Sequence, residues 1–158
     1  MTERDLEFMS RAIALAEEGM TKGAGGPFGA VVVKDGEIVA EGYNMVTSTN
    51  DPTAHAEVTA IREACKKLGT FQLTDCVIYT SCEPCPMCLG AIYWARPKKV
   101  YYGCTREDAA AIEFDDQFVY EEIAKPMESR GIDFINVERS AAQQVFKKWK
   151  EKDDKISY

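Results

Sequence analysis

The stretch "CVIYTSCEPCPMCLGAIYWARPKKVYYGC", residues 76–104, decides the architecture. It opens on a short apolar run, "CVIYTS" at 76–81, which reads as a buried strand. The run gives way to "CEPCPMC" at 82–88, a turn, and then to "PMCLGAIYWAR", a helical segment closed by Pro97. A second strand, "KKVYYGC", follows at 98–104. Strand, helix and strand in that order predict a right-handed crossover between parallel strands, and so an α/β chain.

Upstream, residues 3–22 read as an amphipathic helix with Leu6, Met9, Ile13, Ala16 and Met20 as its buried stripe. Thr2 is its N-cap, with Asp5 three residues on, and Gly23 follows its end. "GAGGPFG" at 23–29 is a loop, and "FGAVVVKDGEIVAEGY" at 28–43 is a hairpin turning at Asp35-Gly36. After the polar loop "NMVTSTNDPT", a helix at 54–68 buries Val58, Ile61, Cys65 and Leu68 and stops at Gly69. Downstream come a loop and short helix around 108–125, a strand near "IDFINVE" at 132–138, and a last helix from Ser140 to about Lys152. The expectation is one domain over residues 1–158, an α/β three-layer αβα sandwich around a mixed five-stranded sheet, with 140–158 as a C-terminal helix and tail.

Composition narrows the function. A chain of 158 residues can remove roughly 70% of its unfolded surface from water, enough for a full core. No run approaches the ~20 apolar residues of a membrane span. The opening "MTERDLEFMS" lacks the apolar region of a secretory signal, so a cytoplasmic protein is expected. A net charge of −7 is the wrong sign for binding phosphate backbones, which disfavours nucleic acid as a partner. The basic clusters "RPKK" at 96–99 and "KKWK" at 147–150 read as solvated faces. Three of the six cysteines, Cys82, Cys85 and Cys88, crowd into seven residues, which points to a metal. Cys65, Cys76 and Cys104 read as small buried hydrophobes.

The single histidine lies in "DPTAHAEVTA", residues 51–60. Pro52 and Thr53 are expected to start the helix whose first turn carries His55 and Glu57. On a helix Cys85 and Cys88 point about 60° apart and can grip one ion. With His55 they supply three ligands, the pattern of a catalytic zinc with an open fourth position. Cys82 as a fourth ligand would close a structural site instead, and spacing alone leaves that alternative open. Glu57 favours catalysis, because a carboxylate beside a metal-activated water is what proton transfer requires.

"HAE" followed by "PCPMC" resembles the zinc-dependent cytidine deaminase-like superfamily. The wider stretches "GGPFGAVVVKDGEIVAEGYN", "NDPTAHAEVTAIR", "YTSCEPCPMCLGAIYWARPK" and "FDDQFVYEEI" are similar to the bacterial guanine deaminases within it. The resemblance runs from about residue 5 to 126 and implies His55, Cys85 and Cys88 as ligands of one Zn2+ and Glu57 as the general acid/base. It further implies a purine-catabolic hydrolase in which activated water adds to C2 of guanine, leaving xanthine and ammonia. Asn44 and Asp116 match positions that contact the base, Phe28 and Trp94 match stacking positions, and Ala54 matches the pocket wall. A homodimer is implied too, with the C-terminal segment exchanged and Tyr158 closing the partner's site. Guanosine, cytosine and ammeline remain alternative substrates, and tRNA adenosine deaminases share the metal signature.

Overall fold

A computed structural model describes residues Met1–Tyr158. Helix α1, Glu3–Thr21, begins at Thr2 in a reciprocal capping box with Asp5. Strands β1, Gly29–Lys34, and β2, Glu37–Tyr43, pair antiparallel across the Asp35-Gly36 turn. Both turn residues have positive φ, 51° and 78°, the conformation of a tight two-residue hairpin, and Gly adopts it at no steric cost. A short helix α2, Val46–Thr49, precedes α3, Ala56–Leu68, which ends at a left-handed Gly69.

The stretch that opened the sequence reading forms β3, Cys76–Cys82, α4, Pro86–Ala95, and β4, Lys99–Cys104. Strands β3 and β4 are parallel. Arg96 precedes Pro97, a position disfavoured from continuing a helix, and it leaves α4 in the left-handed conformation at φ 57°. The sheet order is β2-β1-β3-β4. One face packs Val31, Val33 and Tyr79 against Phe8, Ala12 and Leu15 of α1. The other packs Val32 and Ile78 against Ala56, Ala60 and Ala64 of α3 and Ile92 and Ala95 of α4.

Two compact units divide the chain, Met1–Asp116 and Gln117–Tyr158. The first holds the three layers, together with the short helix α5, Arg106–Ala110. The second holds α6, Gln117–Ala124, and α7, Arg139–Glu151. Within it Glu122 accepts the Gly131 N–H, and the Arg130 guanidinium donates to the Lys125 and Ile123 carbonyls. None of its residues is buried.

Several expectations change. The sheet has four strands rather than five, because residues 132–138 form no strand. Alternating apolar residues favour a strand only where a neighbouring strand completes the hydrogen bonds, and here Ile132, Phe134, Ile135 and Val137 are exposed. The buried face of α1 is Phe8, Ala12, Leu15, Ala16 and Gly19, while Leu6, Ile13 and Met20 are exposed. The helix docks through its small residues because β1 comes very close: a Cβ on Gly29 would lie 2.2 Å from the Ala12 carbonyl oxygen. Of the loop and short helix expected around 108–125, the helix is α6 and the loop is shorter, since α5 occupies Arg106–Ala110. Cys104 is exposed rather than buried, since it ends edge strand β4.

Candidate active site

Two helix N-termini, those of α3 and α4, supply the candidate ligands. His55 is the N-cap of α3 and Cys85 the N-cap of α4, each in extended conformation with no side-chain cap bond. The helix therefore begins after His55, not at Thr53 as expected. Thr53 instead belongs to a turn in which its N–H and hydroxyl donate to Asp51 Oδ1. Pro86 suits the first position of α4, where a missing N–H costs nothing, and Cys88 lies in the first turn.

These helix starts bring His55 Nδ1 within 3.5 Å of both Cys85 Sγ and Cys88 Sγ. Zinc–sulfur bonds of about 2.3 Å and a zinc–nitrogen bond of about 2.0 Å, meeting at a tetrahedral angle, separate sulfur from nitrogen by roughly 3.5 Å. His55 Nδ1 thus stands from each sulfur at such an edge length, and the three donor atoms all lie within 4.8 Å of one another. Cys82 is not among them. Its thiol donates to the Thr105 carbonyl at 3.6 Å, and burial pushes its pKa up to about 12.

Charge in the cluster is unevenly shared. Cys85 is lowered to about 4, first by the Cys88 thiol donating to it, against the cost of burial, and then by His55. Cys88 shifts upward for the complementary reason, retaining its proton beside the Cys85 thiolate. His55 is raised by its hydrogen bond to Cys85.

Glu57 follows His55 by two residues and is 6% exposed. One carboxylate oxygen, Oε2, lies 3.3 Å from Cys88 Sγ, and the other, Oε1, accepts from the Thr80 hydroxyl at 3.1 Å. Burial raises its pKa. The arrangement is a carboxylate held against the candidate metal-ligand cluster and shielded from bulk water.

Asn44 ends the hairpin, 5% exposed. Its Oδ1 accepts from the Gly26 and Val46 N–H groups at 3.2 and 3.1 Å, so the side chain offers a ligand its Nδ2 donor. Asp116 is raised by burial and then by the negative charge of Cys85, which places it in the electrostatic reach of the ligands. Phe28 meets Phe114 edge to face, ring centroids 4.9 Å apart. Both backbone groups of Ala54 are engaged, its N–H by Asp51 and its carbonyl by Met45, leaving a methyl wall. Trp94 is 62% exposed on α4, off the face that buries Cys88, Ile92 and Ala95. Tyr158, in the second unit, is 71% exposed. Sequence reasoning missed Thr80, Gly26 and Phe114. Strand register marked the first, since Thr80 shares the sheet face of Ile78, whereas nothing in the sequence marked the others.

Comparison with known proteins bears on all of this. Residues 2–104 match the family described as the cytidine and deoxycytidylate deaminase zinc-binding region. The guanine deaminase of Bacillus subtilis strain 168 is 60% identical over 151 residues, covering 96% of this chain and 97% of its own. A crystal structure of Bacillus subtilis guanine deaminase superposes with a TM-score of 0.95 at 58% identity, covering 100% of this chain and 99% of the other. A guanine deaminase from Nitrosomonas europaea gives a TM-score of 0.67 at 30% identity over 89% of this chain and 81% of its own. Likeness to the tRNA-specific adenosine deaminase of Bacillus subtilis is shorter, 44% over 103 residues, 65% of this chain and 63% of the relative. The family match takes in His55, Glu57, Cys85 and Cys88, and the first Bacillus relative spans nearly both chains. On that ground this chain belongs to the cytidine and deoxycytidylate deaminase zinc-binding family, among its guanine deaminases.

Proposed function

We propose that this chain hydrolyses guanine to xanthine and ammonia, with one Zn2+ on His55, Cys85 and Cys88 and Glu57 as the proton carrier. The observation that carries the reading is the buried Glu57 carboxylate, 3.3 Å from Cys88 Sγ in a cluster of tetrahedral spacing. A structural zinc has no use for such a group. When bound, the metal supplies a water acidic enough to react near neutral pH. Glu57 Oε2 would take a proton from the attacking water as the water oxygen bonds to C2 of guanine, and deliver it to ring N3. The second proton reaches the 2-amino group through the same oxygen, the C–N bond breaks, and ammonia leaves as the C2 carbonyl of xanthine forms.

Asn44 Nδ2 donates to an acceptor edge of the base, O6 or N7, and Asp116 accepts a ring or amino N–H. Phe28, braced by Phe114, supplies a flat apolar wall; Ala54 and Trp94 complete the lining. A donor fixed at Asn44 suits guanine's oxygen better than an amino group at the same place. The acidity of the chain and the shorter likeness to tRNA-specific relatives favour a free base over a nucleic acid. No helix is long and apolar enough to cross a membrane, and reactive thiols at the site suit the reducing cytoplasm. The second unit, which buries none of its residues, supports a homodimer in which residues from about 140 to 158 are exchanged and Tyr158 closes the partner's site.

The test is an ultraviolet time course with ammonia detection on zinc-loaded protein given guanine, guanosine, cytosine and adenine separately. Guanine alone is expected to react. Glu57→Gln is expected to keep the fold and one zinc per chain while losing at least about 100-fold in kcat. Turnover of guanosine in preference to guanine, or an undiminished Glu57→Gln variant, overturns the substrate or the mechanism respectively.

A further inference from the structure

We infer that Thr80 is a positioning residue for the reaction: its hydroxyl holds Glu57 Oε1 and thereby leaves Oε2 as the oxygen that carries protons. This rests on the reading of Glu57 as the proton carrier. Thr80 is 1% exposed in the middle of β3, where its backbone is already committed to the neighbouring strands through Ala30 and Tyr102. Its hydroxyl reaches across to a carboxylate twenty-three residues earlier in the chain, at 3.1 Å. The link ties the sheet to the first turn of α3 at one oxygen of one residue.

Glu57 has two side-chain partners, Thr80 Oγ1 on Oε1 and Cys88 Sγ on Oε2, besides a contact from its own backbone N–H. They are not equivalent. A cysteine serving as a metal ligand does so as a thiolate and has no proton to donate. The Thr80 hydroxyl has one in every loading state. Of the two side chains it is therefore the one that fixes the carboxylate plane in the loaded protein, and it fixes it from the oxygen remote from Cys88. A buried hydroxyl needs some partner, but a partner on the backbone would satisfy it equally well; the choice of the carboxylate is what gives Thr80 a part in the chemistry. Threonine also suits the place, because a β-branched side chain in a strand has few rotamers and keeps its hydroxyl aimed.

The experiment compares wild type with Thr80→Val, which removes the hydroxyl at nearly constant volume, and Thr80→Ser, which keeps it. Each protein is zinc-loaded and examined by steady-state kinetics on guanine, zinc analysis and crystallography. Misaiming a proton carrier by a fraction of an ångström costs about 10- to 100-fold in rate. Thr80→Val is accordingly expected to lose about that factor in kcat, with KM and zinc content little changed, and Thr80→Ser to recover most of it. The crystal structure of the valine variant is expected to show the Glu57 carboxylate turned from its wild-type plane. A valine variant with wild-type kcat, a serine variant as impaired as the valine one, or an unturned carboxylate overturns the inference. If valine disrupts folding or zinc binding, the pair Thr80→Ala and Thr80→Ser reads the same hydroxyl with the γ-methyl absent from both. Failure of the deaminase reading shows separately, as a wild-type protein inert toward guanine, and the carboxylate orientation still decides the role of Thr80.

Discussion

Asn44 reaches its place because Gly25 has no side chain. A Cβ at Gly25 would lie 2.1 Å from Asn44 Oδ1 and 2.7 Å from its carbonyl oxygen, closer than any packed structure allows. The Gly25 backbone is not in the left-handed region, so alanine is strained there only by this collision. Gly25→Ala is expected to displace the amide and raise KM for guanine about tenfold, the effect of losing one hydrogen bond worth roughly 1.4 kcal/mol. Zinc content is expected to stay at one per chain; kinetics and metal analysis on the same sample check both. Among single residues, the clustering of His55, Glu57, Cys85 and Cys88 was legible because the metal chemistry expected of them limits residue type and the spacing limits reach. The bonding of Asn44 and Thr80 was not, because it depends on which loop or strand residue faces which neighbour, and several residues of the same type compete for that part. Cys82 shows the hazard: by spacing it could have been a ligand, yet its thiol is engaged by the Thr105 carbonyl and lies outside the cluster of His55, Cys85 and Cys88.

The elements are held together by polar ties as well as by core packing. Asp5, in the first turn of α1, accepts from the Tyr79 hydroxyl of β3 at 2.6 Å through Oδ1 and from the Thr2 N–H at 2.6 Å through Oδ2. The Tyr79 hydroxyl, and next the Thr2 N–H, lower Asp5 from its ordinary 3.8 to about 2. A carboxylate whose pKa is lower in the folded chain adds stability above its unfolded pKa and loses it as pH falls through the folded one. Asp5→Asn is therefore expected to melt below wild type at neutral pH, with the difference shrinking as pH falls from about 4 to about 2; thermal melts of both proteins across that range check it. An unchanging difference would place the effect in the cap rather than the charge. Most elements were legible from periodicity and turn residues, including the hairpin and the parallel crossover. The face of α1 was not, since periodicity weights large side chains and this helix docks through alanines and Gly19. Nor was the missing fifth strand, since "IDFINVE" has a strand's alternation and no strand beside it to pair with.

At the scale of the molecule, the second unit carries Phe118, Ile123, Phe134, Ile135, Val137, Phe146 and Trp149 exposed. Such a density of large apolar side chains is what an obligate interface presents before its partner arrives. Light scattering is expected to give twice 17.6 kDa at micromolar concentration, with no stable single-chain species on dilution before unfolding. A mass of one chain that stays folded would leave the exchanged segment without support. The architecture of the first unit was legible because one crossover motif fixes the parallel pair. The exposed apolar side chains of the second unit were not legible from pattern, as an exposed apolar face and a core face look alike in one sequence. The two N-caps carry a last consequence. His55 and Cys85 occupy positions where a serine or aspartate would normally tie down the opening amides of a helix, and neither does so. On the proposed zinc assignment the ion would join both helix starts directly, so stripping it with a chelator is expected to loosen the first turns of α3 and α4 together.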